Sequence, residues 1–192
     1  MRGLLIVDVQ NDFCEGGALG VDGGEAVARG ITHLLEDRAG NYRVIIGSRD
    51  WHDADNDNGG HFAASGDAPN YLTTWPVHCV AGTTGADYHS GLAQEFITHH
   101  VKKGQGVPAY SMFEGFTDDG KTVESILREA GVTEVDVVGI ATDYCVRASA
   151  LDAKKAGFGV TVLADLVAAV SAETEKDAVK EMNEAGVVLG RA

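Results

Sequence analysis

Short apolar runs alternate with amphipathic stretches along the whole chain. The runs LLIVDV (4–9), RVIIGS (43–48), HHVKK (99–103), VDVVGI (135–140), GVTVLAD (159–165) and GVVLG (186–190) are mostly rich in Val and Ile, with little polar alternation. Such runs predict strands buried on both faces. Between them, helices are predicted over 23–39, 120–130, 142–156 and 172–185. The last follows Ser171, a good N-cap type, and carries Glu173 and Glu175 in its first turn, where acids suit the helix dipole. Strands and helices in this alternation predict an α/β fold: a doubly wound, six-stranded parallel sheet with helices on both faces, in three layers. The stretch from Asp50 to about Ser90 breaks the pattern. It is rich in Gly, Asp, Asn, Pro and aromatics, and long irregular stretches inside a domain are usually functional or disordered. No repeat, linker or second domain interrupts the chain, so residues 1–192 are expected to form one domain.

Composition narrows the function. Hydrophobic residues make up 44% of the 192, an ordinary globular value. Fifteen basic against 29 acidic residues give a formal charge of −14, which argues against nucleic-acid and anionic-membrane surfaces. Cys14, Cys79 and Cys145 are odd in number and far apart, and no CxxC pair is present. A disulfide framework, a zinc ribbon and a dithiol redox site all lose support. In MRGLLIVDVQ only four apolar residues follow Gly3 before Asp8, too few for a signal-peptide core, and no stretch approaches a membrane span. A cytoplasmic location is the expectation.

Ligands of open parallel sheets bind outside the carboxyl ends of the strands. Those ends carry Asp8, then Asp50 with His52, then Lys103, Cys145 and Asp165. Cys145 stands at the foot of the predicted 142–156 helix, after Thr142 and Asp143, both helix-start types. A thiol there feels the positive end of the helix dipole, which favours thiolate. A small residue filling a tight strand-to-helix junction is the structural alternative. Convergence of so many strand ends favours a catalytic cysteine, with Asp8 as its base and Lys103 stabilising both anions. A plain Asp–Lys ion pair beside an inert thiol stays open as the other reading.

A second cluster lies in RDWHDADNDNGGH (49–61) and WPVHC (75–79). Asp50 and His52 can reach one cation, and His61 and His78 would complete a divalent-metal site of mixed nitrogen and oxygen ligands. Asp53, Asp55 and Asp57 do not make a calcium loop, because an EF-hand counted from Asp53 needs Gly and Glu where Asn58 and Ala64 stand. They are expected in a solvated loop. His33, His89, His99 and His100 are weak signals, and Gly16, Gly17 and Gly20 lack the spacing of a dinucleotide fingerprint.

IVDVQNDFCEGGALGV, RDWH, WPVHCVAGTTGADYH, the Lys103–Gly104 pair, AYSMFEG and VDVVGIATDYCVRASALDA together resemble the nicotinamidases of the isochorismatase-like hydrolase superfamily, most of all the actinobacterial ones that also hydrolyse pyrazinamide. The resemblance spans residues 4 to about 172. It implies hydrolysis of nicotinamide to nicotinate and ammonia through a thioester, in NAD salvage, by a monomer or homo-oligomer. It makes Asp8, Lys103 and Cys145 the catalytic triad, and Asp50, His52, His78 and His61 the ligands of one divalent ion, zinc, iron or manganese. The loop before His61 is longer than in close relatives. Phe13 and Trp75 would sandwich the ring, with Tyr110, Ile140 and Tyr144 beside it. A cis peptide between Ile140 and Ala141 would aim the Ala141 and Cys145 N–H groups into an oxyanion hole. Isochorismatases lack the cysteine and carbamoyl amidohydrolases typically lack the metal cluster, so both branches fit less well. A non-catalytic metal- or ligand-binding protein on the same scaffold is the rival from another class.

Overall fold

The computed structural model describes residues Met1–Ala192. Strands β1 (Arg2–Val7), β2 (Val44–Asp50), β3 (His99–Lys103), β4 (Glu134–Ile140), β5 (Gly159–Ala168) and β6 (Val188–Gly190) form one sheet in the order β3-β2-β1-β4-β5-β6. Every neighbouring pair is parallel. The chain starts in the middle, winds out to β3, then returns and winds out to β6. This is the predicted doubly wound sheet, and the winding reverses between β1 and β4. The crevice at their carboxyl ends is the topological switch point.

Alternation along each strand sorts its side chains onto two faces. Leu4, Ile6, Val138 and Ile140 join a cluster with helix α1 (Gly24–Arg38), which turns Val27, Ile31, Leu34 and Leu35 toward them. Tyr88, Leu92 and Ile97 complete that layer. Leu5, Val7, Val135 and Val137 face the other way, onto α2 (Val123–Glu129), α3 (Arg147–Lys155) and α4 (Ala172–Glu184). Burying each such aliphatic side chain contributes roughly 1.5–3 kcal/mol, so a strand apolar on both faces is strongly held at the centre of the sheet. No helix is long and apolar enough to cross a membrane.

Three local departures from the sequence pattern matter for the site. β1 ends at Val7 rather than residue 9, because Asp8 takes φ 48° and turns the chain out of the strand. β5 runs on through Asp165, which is exposed within the strand and accepts from the Ala192 N–H at 3.1 Å. Asp165 is therefore not among the strand-end groups. The predicted 142–156 helix begins with a π-helical turn over Thr142–Val146, and α3 follows. Asp143 does not cap it. Its carboxylate accepts from the Val170 and Ser171 N–H groups at 3.0 and 3.3 Å and from the Thr174 hydroxyl, at the entry to α4. The wide turn thus sends Asp143 to α4 while Cys145 faces the sheet edge.

The long connection between β2 and β3 has no strand or α-helix, yet it is stitched together. His52 exchanges backbone hydrogen bonds with Cys79 and Ala81, at 3.0 and 2.9 Å. Trp75 does the same with His61 and Ala63, both at 2.9 Å. These two isolated bridges bring residues far apart in the irregular stretch side by side. Asp55 and Asp57 are exposed in its solvated part.

Candidate active site

Lys103, the last residue of β3, lies beside Asp50, the last of β2, in the parallel register. Its ammonium is buried and touches a carboxylate oxygen of Asp50. It lies 2.9 Å from Asp8 Oδ2 and 3.7 Å from Cys145 Sγ, and it donates to the Ala109 carbonyl at 3.3 Å. Ligand atoms of Asp8, Asp50 and Cys145 all lie within 4.8 Å of one another. With the Lys103 ammonium among them, that triple is a cage for lysine rather than for a metal. The Ser48 hydroxyl donates to Asp8 Oδ1 at 2.7 Å. Gly139 makes the approach possible. Its φ is 120°, and a Cβ there would come within 2.0 Å of the Val7 carbonyl oxygen, so only glycine lets β4 run this close to β1.

Burial raises the Asp8 pKa and the Asp50 charge raises it further, against the pull of Lys103. Asp50 goes the other way. Despite burial, the Lys103 ammonium holds it well below the usual carboxylate range. Lys103, despite its burial, is held well above its ordinary value by Asp50 and Asp8. Burial pushes the Cys145 thiol well up, and Lys103 offsets this only in part. Desolvation thus opposes the thiolate that the helix dipole favours.

A second group sits alongside. Ligand atoms of Asp50, His52, His61 and His78 lie within 4.8 Å of one another, all four residues being buried. His52 Nδ1 meets the Gly104 carbonyl at 2.8 Å, and His78 Nδ1 meets that of Pro76 at 2.7 Å. A carbonyl only accepts, so both rings carry their proton on Nδ1 and offer an Nε2 lone pair. Gly104, at φ 82°, is required there, since a Cβ would lie 2.6 Å from the His52 ring. His52 Nε2 and His61 Nδ1 are buried without partners. Burial and the neighbouring His52 lower the His61 pKa to about 3, which keeps the ring neutral and able to ligate. Orphaned imidazole nitrogens around one low-pKa carboxylate fit a divalent metal ion.

Both groups open onto one pocket. Its walls include Phe13, Trp75, Tyr110, Ile140, Ala141 and Tyr144, and its polar groups come from Asp50, His61, His78 and Cys145. The Trp75 indole donates to the Tyr110 hydroxyl at 3.0 Å and packs perpendicular to Tyr144, centroids 4.9 Å apart. Tyr144 in turn donates to the Tyr71 carbonyl at 3.2 Å. The Ile140–Ala141 peptide is cis, and the Ala141 N–H has no hydrogen-bond partner. An aromatic slot with a thiol at one side and imidazoles at another suits a flat heterocycle carrying an acyl group.

The structure brings together all the residues singled out from the sequence except Asp165. His33, His89, His99 and His100 stay outside. Leu19, Val21 and Val170 line the pocket without any sequence signal. Ser48 was legible only through its place two residues before Asp50 on a strand that ends at the site.

This fold and site belong to a known class. Residues 2–192 match the Isochorismatase domain, and the chain belongs to that family. It is 49% identical to the nicotinamidase/pyrazinamidase of Mycobacterium tuberculosis, over 98% of each chain. The pyrazinamidase of Pyrococcus horikoshii, solved in complex with zinc, aligns with a TM-score of 0.83 and 36% identity over 100% of this chain and 99% of that one. An L. infantum protein solved in complex with nicotinate aligns with a TM-score of 0.84 and 36% identity, covering 100% and 92%.

Proposed function

We propose that this chain is a cysteine amidohydrolase that converts nicotinamide to nicotinate and ammonia, and that it also hydrolyses pyrazinamide. The observation that carries the proposal is the Lys103 ammonium, held between Asp8 and Cys145 Sγ at the edge of an aromatic pocket. Names and bound ligands of the relatives support the same substrate class. The product feeds pyridine nucleotide salvage in this reading.

Asp8 takes the proton from Cys145 Sγ, and the thiolate attacks the amide carbonyl carbon. A raised pKa makes Asp8 a stronger base than an ordinary carboxylate. The oxyanion is received by the N–H groups of Ala141 and Cys145. Asp8 passes its proton to the amide nitrogen, the C–N bond breaks, ammonia leaves and a thioester remains. Asp8 then takes a proton from water; the resulting hydroxide attacks the thioester, the C–S bond breaks, and the sulfur regains its proton. Lys103 keeps two neighbouring anions compatible throughout. Asp50, His52, His61 and His78 would hold one divalent ion, zinc, iron or manganese. That ion would act as a Lewis acid, orienting the ring nitrogen directly or through water, while Phe13 and Trp75 flank the ring.

The test is ammonia release from nicotinamide by the metal-loaded protein, with Cys145→Ala beside it. Release by the wild type alone is the expected result, with metal retained in the variant. Turnover by Cys145→Ala would rule out the thioester route. Silence from both proteins, with metal bound, would favour a carbamoyl substrate or a binding protein without catalysis.

A further inference from the structure

β1 and β2 pair from Gly3↔Val44 to Ile6↔Gly47, and β1 then ends. β2 continues to Asp50. On its far side it remains paired with β3 as far as Lys103, but beyond Val7 it has no strand on the β1 side. In a parallel sheet the N–H and C=O of one residue point to the same neighbour, so both backbone groups of Asp50 would be stranded in a buried region. The side chain of Gln10 fills the gap. Its Oε1 accepts from the Asp50 N–H at 2.8 Å, and its Nε2 donates to the Asp50 carbonyl at 2.9 Å. The second Nε2 proton goes to the Ala86 carbonyl at 2.9 Å. Gln10 is wholly buried and its own backbone bridges Tyr88, so the amide has nowhere else to turn. One donor and two acceptors around it also settle which end of the amide is which.

What this clamp holds is the residue common to both halves of the site. One carboxylate oxygen of Asp50 touches the Lys103 ammonium, and the other lies 3.5 Å from His52 Nε2 and 3.8 Å from His78 Nε2. We infer that Gln10 is a positioning residue, its side-chain amide standing in for the missing strand so that the two oxygens of Asp50 are divided between Lys103 and the metal-ligating imidazoles. The inference rests on the reading of the site proposed above. No other side chain fixes the Asp50 backbone.

Gln10→Met keeps length and burial but loses all three hydrogen bonds. Gln10→Glu keeps one oxygen as acceptor for the Asp50 N–H but sets the other, in place of the Nε2 donor, against the Asp50 and Ala86 carbonyls; it serves the same purpose should the first variant fail to fold. Ile31→Ala, in the core between α1 and the sheet, controls for general loss of stability. Zinc affinity of each metal-free protein is measured by competition with a chelating dye, and kcat and KM for nicotinamide are measured separately. Loss of groups that orient metal ligands typically costs about 10- to 100-fold in affinity, and that loss is expected for both Gln10 variants. Ile31→Ala should bind zinc as the wild type does, even where its Tm falls as far. Crystal structures of metal-free wild type and Gln10→Met provide the readout independent of metal: the Asp50 carboxylate should leave Lys103 in the variant. An unmoved Asp50, or equal zinc loss in Ile31→Ala, overturns the role given to Gln10. Wild type that binds no zinc defeats the metal reading alone, and the position of Asp50 then decides for Gln10.

Discussion

The two ends of β1 and β4 both gather charge, and they use it in opposite ways. At the amino end, Arg2 donates to Glu134 at 2.7 Å and to Asp136 at 3.2 Å, while the Tyr42 hydroxyl donates to the other oxygen of Asp136 at 3.0 Å. Each group there has a partner. At the carboxyl end, His52 Nε2, His61 Nδ1 and Thr142 Oγ1 are buried with no partner, and Asp8 Oδ2 has an ion-pair contact with Lys103 but no aligned hydrogen bond. A satisfied buried polar group is compatible with a stable fold, whereas an unsatisfied one costs free energy and persists where something else has use for it. The unpartnered atoms mark the carboxyl end as the place for chemistry. Substitutions at the two ends should therefore fall on different measurements.

The largest effect is expected for Lys103→Met. Removing the ammonium leaves Asp8 and Asp50 facing each other in a dry site, so turnover should fall by on the order of 10³-fold or more. Ammonia release under single-turnover conditions reads this directly, and near-normal activity would break the proposed role. His52→Ala comes next. It should lose metal and raise KM together, by roughly 10- to 100-fold, with elemental analysis and steady-state kinetics as the paired readouts.

Asp136→Ala should do the reverse. It strips Arg2 and Tyr42 of a buried acceptor, costing about 2–3 kcal/mol in urea unfolding with kcat unchanged. A loss of kcat without a loss of stability would erase the contrast between the ends. The smallest effect concerns pH. Burial and the neighbouring Asp136 hold the Tyr42 phenol above its ordinary value near 10. A raised folded pKa contributes stability that is complete below pH 10 and is lost as pH rises through the folded value. Wild type should therefore lose Tm more steeply than Tyr42→Phe above pH 10, and parallel curves would show that the Tyr42 proton carries no such linkage.

Much of this was legible in the residues themselves. Six apolar runs located the strands, and the rule that ligands sit at the carboxyl ends of parallel strands picked out Asp8, Asp50, Lys103 and Cys145 from a chain with many acids. The histidines were harder. His52 and His78 carried a signal because each sits in a compact motif, but His61 lies beyond a loop of aspartates, and the backbone hydrogen bond its carbonyl accepts from Trp75 brings it back. Asp165 misled because it closes an apolar run that continues as a strand past it. Asp143 misled because a helix-start residue served another helix.

Local pattern determined which segments are strands and helices, and through them the parallel sheet and the edge where chemistry gathers, because hydrophobic periodicity is a property of neighbouring residues. Tertiary structure alone decided that burial works against a Cys145 thiolate, that Asp50 is divided between a lysine and two imidazoles, and that a glutamine side chain replaces a strand. Each of these depends on burial and on register between segments distant in the chain. Charge in a dry interior responds to whatever lies within a few ångströms, and sequence spacing does not carry that distance.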